Sequence, residues 1–231
     1  MKIILADHSG FCFGVKRAVN KAISELESDS NKLYSYGPLI HNPQEVNRLE
    51  DMGLITLEDY KTIEEGRIII RSHGVAKGQE NDMISKGLFV IDSTCPYVKA
   101  VHKRVEDYSL KGYNIIIIGD KSHPEVIGIS AYAQNDVYIV NSLDEVSQLP
   151  YMDKICVVSQ TTNTKGKFDS LSEAIKDKGN EVEIFNTICN ATKNRQEATK
   201  ELAKLVEAMI VIGGYSSSNT KKLVEISEEY C

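Results

Sequence analysis

The chain has 231 residues, enough to bury a real core as one large domain or as two or three small ones. Its formal charge of −6, from 27 Lys and Arg against 33 Asp and Glu, lacks the clustered basic footprint of a nucleic-acid binder. No apolar run approaches the ~20 residues that cross a bilayer, so neither nucleic acid nor a membrane is expected as a partner. The first segment, KIILA, reads as a strand. With one early Lys and a short run that turns polar at Asp7, it does not read as a signal peptide. The five cysteines are therefore expected to stay reduced, in the cytoplasm, where ligand or catalytic roles outrank disulfides.

After Cys12, in GFCFGVKRAV, comes the helical period of VKRAVNKAISELE. A strand at KLYSYG leads to His41 in LIHNP, and a strand at RIIIRS leads to His73 in RSHGV. The helix GQENDMISKG and the strand LFVID then bring in Cys95, in STCPYVKAVH, followed by the helix YVKAVHKRVEDYSLK. NIIIIG precedes His123 and Glu125 in KSHPEV, and VYIV and KICVVSQ are two further strands, the second opening into SQTTNT. EVEIF precedes Cys189 in TICNATKNRQ, and the helix ATKNRQEATKELAKLVE follows. AMIVIGG reads as a last strand before GGYSSSNT and a short helix ending at Cys231. This alternation predicts an α/β protein with parallel sheets whose strand ends carry the chemistry.

The intervals from Cys12 to Cys95 and from Cys95 to Cys189 are 83 and 94 residues, far longer than solenoid repeats. They predict three similar small α/β lobes folded around a shared centre: 14–95, 96–188, and 189–231 together with 1–13. The last has fewer elements, so it either borrows the N-terminal strand or is incomplete.

Three thiols from three distant strand ends are too few to close a four-thiolate site. They suit an iron–sulfur cluster with one iron left for a substrate. Structural zinc would show short Cys-x2–4-Cys pairs, which are absent. The competing reading is that each cysteine is simply a small apolar core residue, and for Cys156, inside a strand pattern, core packing is expected. Cys231 is assigned no role. His41, His73 and His123 form a second matched set, each beside Gly or Pro after an apolar run, where ring N–H groups can meet phosphate oxygens. His102, mid-helix, reads as solvated, and His8 as a loop residue. The SQTTNT and SSSNT segments offer hydroxyls and helix-start N–H groups to an anion, or serve as ordinary caps. Neither matches the Walker pattern. Glu125 is either a proton donor near the open site or a cap of the helix that follows.

Taken in order, GFCFGVKRAV, LIHNP, RSHGV, DSTCPYV, SHPEV, SQTT, ICNATKNRQEA and GGYSSSNT resemble the motifs of the 4-hydroxy-3-methylbut-2-enyl diphosphate reductases, and the likeness runs from residue 1 to 231. The resemblance implies a three-lobed α/β trefoil of parallel-sheet lobes around a central iron–sulfur site. It implies one [4Fe–4S] cluster with Cys12, Cys95 and Cys189 as ligands and one open iron. His41, His73, His123, Thr161, Ser217, Ser218 and Asn219 would hold the substrate, chiefly its diphosphate, and Glu125 would donate a proton. The implied reaction is a two-electron reductive dehydroxylation to isopentenyl and dimethylallyl diphosphates, with electrons from a ferredoxin- or flavodoxin-type donor. The resembled family continues with further strands and another substrate-binding Ser beyond the point matching Cys231, so a shortened third lobe is expected. Two other readings stand beside this one: a truncated, inactive cluster-containing module that binds diphosphates, and a zinc hydrolase, for which no H-E-x-x-H motif appears.

Overall fold

Two parallel sheets form the body of the molecule, and both have the same topology. The computed structural model describes residues 2–29 and 31–231. In the first sheet the spatial order is β2-β1-β3-β4, from β1 (Leu33–Tyr36), β2 (Leu54–Leu57), β3 (Arg67–Ile70) and β4 (Phe89–Asp92). The second repeats it as β6-β5-β7-β8, from β5 (Asn114–Ile118), β6 (Val137–Val140), β7 (Met152–Ser159) and β8 (Gly179–Ile184). In each sheet the chain starts inside, steps to one edge, then crosses back to the other side. The carboxyl ends of β1/β3 and of β5/β7 therefore flank a topological switch point, where parallel sheets bind ligands.

The continuous apolar runs are the strands covered on both faces. Ile115, Ile116, Ile117 and Ile118 of β5 are fully buried, as are Ile155, Cys156, Val157 and Val158 of β7. Cys156 thus packs in the core, and burial pushes its thiol up to about 12. Helix α1 (Phe13–Ser28) covers the first sheet with the stripe Gly14, Ala18, Val19 and Ala22, all on one helical face. Helices α2 (Pro43–Asp51), α3 (Gln79–Ser85), α4 (Pro96–Leu110), α5 (Pro124–Ser130), α6 (Leu143–Ser147) and α7 (Lys165–Ile175) make the remaining crossovers and the link between sheets.

Three helix starts are set by proline. Pro43, Pro96 and Pro124 stand in the first turn of α2, α4 and α5, where a missing N–H costs nothing and the fixed φ suits the helix. The sequences His-Asn-Pro, Cys-Pro and His-Pro therefore stop each strand-end loop within two residues of its functional side chain.

The third region departs from expectation. Helices α8 (Asn190–Ala203) and α9 (Ser218–Glu228) form and pack on each other. Neither KIILA nor AMIVIGG is a strand, and no third sheet exists among the described residues. Ile3, Leu5, Ile210 and Ile212 are 79–92% exposed. An apolar run becomes a strand only when a neighbouring ladder satisfies its backbone, and neither segment has one. The N-terminal segment is instead held to α8, where Arg195 donates to the carbonyls of His8 (2.8 Å) and Gly10 (2.6 Å). One strand, β2 (LITL), was not expected from the sequence. No helix is long and apolar enough to cross a membrane among the described residues.

Candidate active site

Each sheet delivers matching segments from matching strands. His41 follows β1 and His123 follows β5; His73 follows β3 and Thr161 follows β7; Cys95 follows β4 and Cys189 follows β8. Cys12, Cys95 and Cys189 are the N-cap residues of α1, α4 and α8, and none of these helices carries an acidic residue in its first turn. Helix N-termini favour thiolate over thiol. All five cysteines are free, and these three are half-buried. Cys95 Sγ lies so close to α1 that a β-carbon on Gly14 would stand 2.6 Å from it. Burial raises the Cys95 thiol above its ordinary range, and repulsion from neighbouring Cys12 and Cys189 adds to the shift. Cys12 and Cys189 are thus both near enough to Cys95 to act on its thiol. Among the described residues no three His, Cys, Asp or Glu side chains close to the spacing of a single metal ion. Three soft donors, spread around a common point and without a fourth, fit a polynuclear iron–sulfur group better than one zinc.

The histidines also converge. Ring centroids are 4.0 Å apart for His41 and His73, 5.3 Å for His41 and His123, and 6.0 Å for His73 and His123. Burial lowers all three below the ordinary imidazole value. His73 lies well below it, with His41, His123 and Arg71 adding to the shift, and His123 falls to about 4. Three neutral rings thus sit together at neutral pH. His41 Nε2 and His73 Nδ1 are buried without a hydrogen-bond partner in the protein, and so is Asn219 Oδ1 at the start of α9. Buried polar atoms are normally satisfied, so these atoms mark a place for a polar ligand.

Glu125 is 2% exposed, and burial raises its carboxyl against the opposing effect of two hydrogen bonds from Thr161. Thr161 N donates to Oε1 at 2.7 Å and Thr161 Oγ1 to Oε2 at 2.8 Å, while the Thr161 carbonyl accepts from Cys189 N at 3.0 Å. One threonine therefore ties the carboxyl to a thiol-bearing helix. His123 N-caps α5, its Nδ1 accepting from Glu125 N at 3.1 Å. On α9, Ser217 N-caps the helix by accepting from Thr220 N, and Ser218 Oγ lies 2.9 Å from Thr162 Oγ1. Gly214, just before α9, lets this segment pass close to the His41 loop, since a β-carbon there would stand 2.5 Å from the His41 carbonyl. A cavity of about 380 Å³ opens beside Cys12, between His8, Lys16, Asn194 and Arg195.

Compared with known proteins, residues 3–231 match the family model described as "LytB protein". The chain belongs to the LytB family. Relatives named 4-hydroxy-3-methylbut-2-enyl diphosphate reductase include that of Alkaliphilus oremlandii, 48% identical over 99% of this chain and 82% of the relative. That of Geotalea uraniireducens is 49% identical over 99% and 81%. A solved structure of the (E)-4-hydroxy-3-methyl-but-2-enyl diphosphate reductase, described as the terminal enzyme of the non-mevalonate pathway, aligns with a TM-score of 0.78 at 44% identity. It covers 99% of this chain and 82% of its own. The Plasmodium falciparum E-1-hydroxy-2-methyl-but-2-enyl-4-diphosphate reductase aligns with a TM-score of 0.90 at 33% identity, over 95% and 71%.

Within this LytB chain, one histidine differs from the sequence expectation. His102 is not solvated: it is 4% exposed and stacked on Tyr132, with centroids 4.2 Å apart, and burial lowers it to about 4. It lies on the buried stripe of α4 with Val98, Val101, Val105 and Ser109, a spacing legible in the sequence. The sequence pattern alone does not point to Gln160, Thr162 or Arg71. Gln160 Oε1 accepts from Asp120 N, and its Nε2 donates to Thr162 Oγ1 (3.1 Å) and Ser218 Oγ (3.4 Å), joining two strand-end loops to α9. The available signal was an amide at the end of an apolar strand run.

Proposed function

We propose that the protein reduces (E)-4-hydroxy-3-methylbut-2-enyl diphosphate to isopentenyl and dimethylallyl diphosphates. The C–O bond breaks, two electrons and two protons enter, and one water leaves. The observation that carries this reading is the convergence of three helix-capping thiols, three neutral histidines and one buried carboxyl linked through Thr161 to Cys189.

A [4Fe–4S] cluster held by Cys12, Cys95 and Cys189, with one iron free of protein ligands, would supply single electrons and a Lewis acid for the substrate oxygen. His41, His73 and His123 bind the diphosphate by ring N–H donation, and staying neutral spares them mutual repulsion. Ser217, Ser218 and Asn219 add polar groups at the start of α9, where the helix favours an anion. Glu125, whose carboxyl burial raises above its ordinary value, delivers a proton to the departing hydroxyl. Thr161 positions that carboxyl through both of its hydrogen bonds. The electron donor in this reading is a one-electron carrier of ferredoxin or flavodoxin type. Reduced thiols and a cluster of this kind fit the cytoplasm.

The test is anaerobic reconstitution with iron and sulfide, followed by assay with dithionite or reduced ferredoxin. About four irons per chain and formation of both products are expected. Bound cluster without product would overturn the proposed reaction.

A further inference from the structure

The histidine cluster lacks a charge of its own. With His41, His73 and His123 neutral, the cradle that would hold a diphosphate has to draw fixed positive charge from elsewhere. We infer that Arg71 is that charge: a residue that acts on the bound diphosphate through its field, from between the two loops that carry His41 and His73. The inference rests on the reading of the site as a diphosphate cradle.

Arg71 directly follows β3, two residues before His73. Its Nη1 lies 2.7 Å from where a Gly37 β-carbon would stand, and Gly37 has φ +70°, so only glycine leaves this space. Gly37 opens the loop to His41. On the other side, Arg71 Nε donates to the Gly74 carbonyl at 3.3 Å, one residue after His73. The Arg71 Cζ is 5.7 Å from the centroid of the Tyr36 ring. No carboxylate pairs with the guanidinium among the described residues, and burial lowers its pKa with only Tyr36 opposing the shift.

A half-buried cation without a counter-ion is favoured by an arriving anion, and arginine remains charged throughout. Its reach is visible in the histidines, because its charge contributes to the lowering of all three. At His123, Asp120 opposes that lowering and Lys221 of α9 adds to it. Lys221 is exposed, whereas Arg71 is half-buried and less screened.

Inorganic pyrophosphate is the probe, titrated calorimetrically into the reconstituted holoprotein at low and high salt. Arg71→Gln should bind it about tenfold more weakly at low salt, the size of one short-range charge term in a partly solvated site. Iron content should not change. The pH at which affinity changes should move upward, because the histidines lose a cationic neighbour. Arg71→Lys keeps the charge but not the Nε bond to Gly74, and should bind within about threefold of the parent. Wild-type affinity in Arg71→Gln would overturn the inference. So would an Arg71→Lys variant as weak as Arg71→Gln, which would make the residue a clamp on Gly74. Should Arg71→Gln fail to fold, Arg71→Lys decides alone: parental affinity supports the charge role, and a tenfold loss refutes it. If the parent itself ignores pyrophosphate, the cradle reading fails, and with it this inference. If the parent binds and Arg71→Gln binds equally, only the role of Arg71 falls.

Discussion

Gly14→Ala drives a methyl group toward the Cys95 sulfur. The new carbon would stand 2.6 Å from Sγ and 3.2 Å from Cβ, where ordinary contact begins at 3.4 Å. The sulfur must therefore retreat by about 0.8 Å, while a metal ligand tolerates displacements of only about 0.2 Å. The backbone at Gly14 is helical, so alanine fits it and gains up to about 1 kcal/mol of helix propensity. Overpacking costs about 1–3 kcal/mol, so the net loss of stability is about 2 kcal/mol or less and the chain still folds. The effect should fall on the thiol set: iron and sulfide per chain after anaerobic reconstitution should drop severalfold, with turnover falling in proportion. Thermal unfolding of the apoprotein should shift by only a few degrees. A Gly14→Ala protein with full iron content and parental turnover would refute the placement of Cys95 against α1 as part of a ligand set.

The cysteines should separate into two classes. Cys95→Ser should lose bound iron, whereas Cys156→Ala should keep it and cost about 1–2 kcal/mol in urea unfolding. Glu125→Gln should retain iron and bind pyrophosphate within about twofold, while turnover falls by roughly 10²–10⁴. In the parent, turnover should decline as pH rises through the raised Glu125 pKa, and a flat profile would point to another proton donor. His102 is a base whose folded pKa of about 4 lies below its unfolded 6.5. Its contribution is present above pH 6.5 and is lost as pH falls toward 4, by up to about 3 kcal/mol. Urea midpoints measured across that window should fall less steeply for His102→Asn than for the parent.

The two sheets were legible because their strands are short, β-branched and bounded by turn residues, and because helical stretches separate them. Strand β2 is less well set apart, because LITL follows the acidic Glu50 and Asp51 closely and runs straight into Glu58 and Asp59. KIILA and AMIVIGG carry equal β-propensity, yet propensity cannot supply a ladder neighbour. The site residues were legible as types in loops after apolar runs. Their pairing was not, because no local pattern says that Thr161 would hold Glu125, or that Gln160 would reach Ser218 from 58 positions away. His102 is the converse case: its apolar stripe is readable, and only the polarity of its own side chain argues for exposure.

The cap on α5 carries a consequence for hydrogen placement. Because His123 Nδ1 accepts from Glu125 N, the proton of the neutral ring must reside on Nε2. The turn at His-Pro-Glu thus selects one tautomer before any substrate arrives, and the ring keeps one donor and no spare acceptor. A cradle built this way has no acceptor to offer a cation or a hydroxyl proton at that position, and presents one N–H to an oxygen lone pair. Chemical selectivity at this point is written by the start of a seven-residue helix.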